Sequence, residues 1–396
     1  MNSIQISWKS LLFNRLTFFL NVLLIAFGTG MLTLLLLGFT QAGEKLKGNA
    51  RGIDLVVGAK GSPLQLILSS IYFIDFPTGN ISLEDAQHLS RNPMVKRAVP
   101  LALGDNYAGF RIVGTDTSFI NLYHLKLAEG KFWKNDFDVV IGSEVARVKK
   151  LKIGDKFHGS HGLSSDQDIH EGSQNLITGV LAPTGNATDN LVLTGVESIW
   201  KMHGMESGDH ASDDIGKREI TSLLIQYRSR MSIVLFPMLV NKSTSMQAAS
   251  PAKESARLFS LIGIGVETAE WFAFTLMFIA AVSVFVSLYN SLKERMYDLA
   301  VMRVTGASQF RIFNIILLEG VMLTTIGSVL GMLAGHICLD LIGRFQDSPQ
   351  ARLTGFYFMP EELYLIAAGF FIGILASILP AIQAYRADIS KTISKG

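Results

Sequence analysis

Of the 396 residues, 49% are hydrophobic and only 17% charged, and the 25 Phe exceed what a soluble domain usually exposes, so the composition is that of a membrane protein. The net charge of +2 argues against the broad positive field of a nucleic-acid binder. One cysteine, Cys338, excludes an intramolecular disulfide and leaves any domain outside the membrane to be held by its core alone.

Along the chain, residues 1–17 form a cytoplasmic segment in which Lys9 and Arg15 precede the first apolar run, 18–39. About 20 residues at roughly 1.5 Å rise cross the hydrocarbon of a bilayer, so this run is long enough to span. It is longer than the apolar region of a secretory signal and lacks a small-x-small cleavage site before Glu44, and it is read as a retained anchor.

Residues 40–270 read as a folded domain of mixed α+β type, in one or two lobes. Short β-rich runs at 110–113, 139–141, 175–181 and 223–227 are separated by Gly, Asp and Asn turns. Residues 82–91 read as a helix capped by Ser82, with Asp85 at the third helical position. In the segment 54–72, Gly58, Gly61 and Pro63 interrupt an apolar stretch whose Leu64, Leu66, Ile67, Leu68 and Ile71 suit either a core or contact with lipid or a lipidated cargo. The polar stretches 160–174 and 203–217 read as exposed loops. Around them stand His158, His161, His170, His203 and His210 with Asp166, Asp168, Glu171, Asp209, Asp213 and Asp214. These side chains suit zinc, but their spacing matches no closed structural site, which leaves a solvated loop or a loose regulatory zinc site as the two readings.

Three further spans follow at 271–289, 312–339 and 363–384, joined by a loop at 290–311 and a short outer loop at 340–362, with a tail at 385–396. Lys293, Arg295, Arg303 and Arg311 in the first loop, and Arg386, Lys391 and Lys395 in the tail, place both termini and the 290–311 loop in the cytoplasm by the positive-inside rule. The expected fold class is therefore membrane α-helical: four transmembrane helices, with a large α+β extracytoplasmic domain inserted between the first and second. In the third span, Gly327, Gly331 and Gly335 let another helix approach closely, within the chain or across a dimer. Glu319 is costly in lipid and should face protein, and His336 reads as a residue at the membrane boundary.

The loop segment 291–308, SLKERMYDLAVMRVTGAS, is a charged helix former between two spans. It places Leu292, Met296, Leu299 and Met302 on neighbouring turns as an apolar stripe, with Arg295, Asp298 and Arg303 at its rim. Such a stripe fits the groove of a partner or packs on the membrane surface. The sequence contains no G-x-x-x-x-G-K-[ST], hence no phosphate cradle of its own.

Glu294, Arg295, Asp298, Leu299, Ala300, Arg303, Gly306, Ala307 and Ser308 follow the order E-R-x-x-E-I-G-x-x-R-A-L-G-A-S, with Asp298 for Glu, Ala300 for Gly and Thr305 for Leu. The segment thereby resembles the loop of ABC transporter permease subunits of the MacB, LolC/LolE and FtsX type. Residues 139–157, VVIGSEVARVKKLKIGDKF, resemble a stretch of that family's periplasmic domain. The resemblance implies a non-catalytic subunit of a bacterial inner membrane. Its coupling helix, formed by Leu292, Glu294, Arg295, Met296, Asp298, Leu299, Met302, Arg303 and Gly306, docks on a separate ABC ATPase that carries the ATP and Mg. It further implies a second permease protomer, a periplasmic adaptor or lipoprotein as a partner class, and no cofactor held by this chain. Three functions are compatible: ATP-driven export or extraction of a periplasmic or membrane-embedded substrate, FtsX-like activation of an external cell-wall enzyme, and a metal-responsive receptor built on the His loops.

Overall fold

The computed structural model describes residues 3–161, 169–202, 218–345 and 353–386. It divides into two compact units: one takes the described residues of Met1–Gln41, Ile262–Phe345 and Leu353–Gly396, the other those of Ala42–Leu261. Helices α1 (Ser3–Leu11) and α2 (Arg15–Asn49) open the chain, and the division falls within α2.

The second unit is α+β. It runs β1 (Leu55–Ala59), α3 (Pro63–Ser70), β2 (Ile81–Ser82), α4 (Leu83–Ser90), β3 (Val95–Tyr107), β4 (Phe110–Thr115), α5 (Thr117–Tyr123), β5 (Leu127–Gly130), β6 (Asp138–Ile141) and α6 (Ser143–Lys149). It continues through β7 (Lys156–His161), β8 (Ile169–Leu181), β9 (Leu191–Gly195), α7 (Val196–Met202), β10 (Glu219–Ile220), β11 (Ser222–Tyr227), α8 (Ser232–Ser243) and β12 (Met246–Ala249). The main sheet has the order β12-β1-β11-β3-β4-β9-β6-β8-β5, with β7 pairing β3 and β8; β4 with β9 and β6 with β8 are parallel, the other pairs antiparallel.

Helices cover both faces of this sheet, which is why its central strands read as continuous apolar runs such as Leu191-Val192-Leu193. Along β4, Phe110 and Ile112 enter one core with α4, α6, α7 and α8, while Val113 enters the other with α3 and α5. Leu66, Ile67 and Ile71 are fully buried there, so the apolar segment beyond β1 serves the domain core. Ser62 caps α3 ahead of Pro63, and the Ser82 side chain accepts from the Glu84 N–H at 3.2 Å to start α4. One expectation is corrected. The stretch 160–174 is not all loop, since β8 begins at Ile169 and pairs with β7 from Ser160↔Ile169 to Lys156↔Leu176. Its polar side chains hid the strand, but the ladder uses backbone groups that every residue supplies.

The first unit is helical. Beyond α2 it contains the latter part of α9 (Pro251–Glu294), then α10 (Met296–Val304), α11 (Gln309–Arg344) and α12 (Glu362–Arg386). Helices α2, α9, α11 and α12 are each long and apolar enough to cross a membrane. Small residues fix their packing. Gly327, Gly331 and Gly335 of α11 lie on α2 so closely that a Cβ on Gly331 would stand 2.5 Å from the Ala26 carbonyl oxygen, and one on Gly335 would stand 2.8 Å from that of Gly30. The opposite face of α11 meets α12 reciprocally: a Cβ on Gly320 would lie 3.1 Å from the Gly373 carbonyl, and one on Gly373 3.0 Å from the Gly320 carbonyl. The glycine stripe is thus occupied inside the chain, the small-xxx-small packing that lets helix backbones touch in lipid. Between α2 and α9, the Ser283 hydroxyl donates to Asn21 Oδ1 at 2.7 Å.

Candidate docking site at the junction of α9, α10 and α11

Punctuation in the sequence makes α10 a separate helix. Arg295, at φ −109° and ψ 14°, interrupts the run after Glu294. At the other end Ala307 N–H bonds the Met302 carbonyl at 2.9 Å and Gly306 N–H the Arg303 carbonyl at 3.1 Å, a Schellman stop that needs the left-handed φ of +102° at Gly306. Two residues on, Ser308 Oγ accepts from the Arg311 N–H at 3.2 Å and starts α11. The T-G-A-S stretch therefore ends one helix and begins the next.

The inner face of α10 differs from the expectation. Leu292, Met296 and Leu299 pack with Ile312, Phe313 and Ile316 of α11 and with Ala381 and Ala384 of α12. Met302 lies beside them, lining a cleft with Ile6, Ile315 and Ile316. This stripe fills a groove of its own bundle, because the nearest apolar surface open to it is the end of α11 and α12. A second stripe is exposed: Tyr297, Val301 and Val304, at 54%, 41% and 66%, recur at four- and three-residue spacing, with Phe310 at 64% in the first turn of α11. Glu294, Asp298 and Arg311 are exposed around it and Arg303 is half-buried. The spacing of the outer stripe was present in the sequence, but two apolar stripes compete on α10 and periodicity alone cannot choose which faces inward.

A polar contact fixes the junction. Glu319, 5% exposed, receives Arg295 Nη1 at 3.4 Å from its Oε1, and the same guanidinium hydrogen-bonds Ser10 of α1. The Ser7 hydroxyl donates to the Ile315 carbonyl at 2.9 Å, so the N-terminal helix packs on α11 rather than running free. Glu319 finds its partner 24 residues upstream in the loop, not in its own run. A polar cleft of about 200 Å³ lined by Ser10, Asn14, Thr17, Asn290 and Glu294 adjoins it.

Of the histidines, His158 lies on β7 opposite Gln174, His161 ends β7 and His170 is the second residue of β8, whereas His203 and His210 lie outside the described residues. Among the described residues no group of three or more His, Cys, Asp or Glu side chains converges to hold a metal ion. One buried charged side chain of the α+β unit is Arg111, 2% exposed. Its Nη2 donates to the Asp75 carbonyl at 2.5 Å and Phe76 stacks 5.7 Å over it, while Nε and Nη1 lack a hydrogen-bond partner. Burial pushes this guanidinium down to about 10, against the opposing pull of Asp75. A base held below its unfolded value is a net cost to folding while it stays charged. Arg111→Met is therefore expected to leave thermal stability unchanged or raised, and Arg111→Ala to lower it by about 2–4 kcal/mol through the void it leaves. A Met variant that melts well below the parent would refute this account of Arg111.

Comparison with known proteins matches both units. Residues 18–249 match the MacB-like periplasmic core domain, and residues 271–389 the FtsX-like permease C-terminal region. A pyoverdine export ATP-binding/permease protein, PvdT, of Pseudomonas putida is 23% identical over 100% of this chain and 60% of its own length. A macrolide export ATP-binding/permease protein, MacB, of Nitrosomonas europaea is 22% identical over 98% of this chain and 58% of its own. An uncharacterized ABC transporter permease, YvrN, of Bacillus subtilis is 22% identical over 98% of this chain and 97% of its own. The chain thus spans about 60% of the export proteins it matches and nearly all of the permease. A MacB-like periplasmic core followed by an FtsX-like permease region, on four apolar helices, makes the chain a member of the MacB/FtsX family of ABC transporter permeases.

Proposed function

We propose that the chain is the membrane subunit of an ATP-driven exporter, moving its α+β domain when a partner ATPase closes on ATP and Mg. The observation that carries this reading is the exposed Tyr297–Val301–Val304 stripe: α10 is apolar on both faces, only one of which its own bundle covers. Lys293, Arg295, Arg303 and Arg311 lie in the same loop of the sequence, which supports a cytoplasmic position by the positive-inside rule and an extracytoplasmic position for the α+β domain. Two permease protomers would work with two ATPases, and the bacterial inner membrane is the site of action. Relatives named for pyoverdine and macrolide export support export over signal transmission.

The docking face rests on the outer stripe. Val301→Asp combined with Val304→Asp should cut ATPase copurification at least about tenfold, the cost of placing charge in an apolar contact, with melting of the permease unchanged. Leu299→Ala should instead lower the melting temperature, as a core truncation costing about 2–5 kcal/mol. Normal ATPase copurification with the double Asp variant would reject the assignment of this face.

A further inference from the structure

Helix α1 has an outer face that its own bundle leaves uncovered. Ile4, Trp8 and Leu12 recur at four-residue spacing and are 55%, 40% and 39% exposed, and Phe13 continues the row into the turn before α2. The opposite face is held inside. Ser7 donates to the Ile315 carbonyl at 2.9 Å, Ser10 accepts from Arg295, and Ser10 and Leu11 line a cleft with Glu319 and Leu323.

Two observations identify what covers the outer face. Ile315, Glu319 and Leu323 belong to α11, which is long and apolar enough to cross a membrane, and three residues separate α1 from α2, another such helix. Apolar side chains exposed beside a spanning helix meet lipid, and Leu16 and Leu20 at the start of α2 continue the exposed row. Trp8, edge-on to Phe18 at 6.2 Å, is the residue type that settles at the headgroup level. The second observation is charge. Residues 1–43 contain no Asp or Glu, and the only charged side chains there are Lys9 and Arg15, both exposed. Lys9 stands about 100° round the helix from Trp8 and away from Ser7 and Leu11, so a cationic rim borders the apolar row. An anionic headgroup layer over acyl chains has the complementary arrangement.

We propose that α1 is a lipid-binding strap: its Ile4–Trp8–Leu12 row enters the acyl boundary of a leaflet, and Lys9 and Arg15 hold the phosphates of anionic phospholipid. This contact keeps Ser10 against Arg295 at the start of α10. Lipid charge thereby sets how well α10 is ordered, because a released α1 leaves Arg295 with Glu319 but without Ser10.

The test uses the full chain in nanodiscs, which carry the same lipids in both leaflets, so its outcome depends neither on the orientation nor on the ATPase docking proposed above. Nitroxides at Ile4→Cys and Gln5→Cys, each in a Cys338→Ser background, report the medium on adjacent sides of α1. In phosphatidylcholine containing phosphatidylglycerol, the Ile4 label should collide with oxygen more often than with a water-soluble nickel chelate, at a depth of about 5–10 Å, and the Gln5 label should do the reverse. Amide exchange over 296–304 should be at least about fivefold slower with phosphatidylglycerol than in phosphatidylcholine alone, the weight of one basic side chain at an anionic leaflet, with α12 unchanged. Lys9→Gln combined with Arg15→Gln should abolish that difference. Chelate reaching both labels equally would put the row in water and overturn the strap. Exchange in the parent that ignores lipid charge, or a difference that survives the double Gln variant, would overturn it as well. The parent measurement needs no variant to fold.

Discussion

Gly331→Ile is expected to remove most of the folded, monodisperse permease from a detergent extract. A side chain at this position meets the Thr29 side chain and the Ala26 carbonyl, and the latter belongs to helical backbone that cannot rotate aside. Forcing volume into a packed contact costs about 1–3 kcal/mol when side chains can yield, and more when the obstacle is backbone. Such a loss is a large fraction of what holds a typical domain together. Gly265 of α9 is the control: a Cβ there meets nothing within 4 Å, so Gly265→Ala should stabilise the helix by about 0.5–1 kcal/mol. Thermal unfolding of matched preparations separates the two, and a Gly331→Ile protein melting with the parent would show that α2 and α11 do not touch here.

The parts of this molecule that could be read from its residues are those where one physical requirement dominates. Crossing hydrocarbon demands about 20 apolar residues, and the four runs that meet it lie within α2, α9, α11 and α12. The runs 110–113, 139–141 and 223–227 lie within β4, β6 and β11, because β-branched and aromatic side chains bounded by turn residues leave few alternatives. Legibility failed where two surfaces compete or where partners are remote in the chain. Both stripes of α10 satisfy helical periodicity, and only the ends of α11 and α12 decide that Leu299 turns inward and Val301 outward. Glu319 depends on Arg295 and Ser10, and His336 on Gly355 and Glu362, pairs that no local pattern links.

The junction that presents α10 should fail when its ion pair is broken. Glu319→Gln keeps the shape of the side chain but removes the charge facing Arg295, whose side chain is 28% exposed against 6% for Glu319. A fully buried pair broken on one side costs about 3–5 kcal/mol; the partial exposure of Arg295 lets water recover some of this, so a loss of about 1–3 kcal/mol is expected. The loss should be local in its consequences. Arg295 sets the N-terminus of α10 and binds Ser10, so without its anion the amides of 296–304 should exchange with deuterium faster, while those of α12 keep their protection. The double variant Glu319→Leu with Arg295→Met should regain most of the stability, since an apolar pair of similar volume needs no desolvation of charge, and the non-additivity of the cycle measures the coupling. Under the proposed docking role the same double variant tests what the charge is for. If it restores melting but leaves exchange at α10 fast, the ion pair orients the docking helix; if both recover together, packing alone positions α10 and the charge is dispensable.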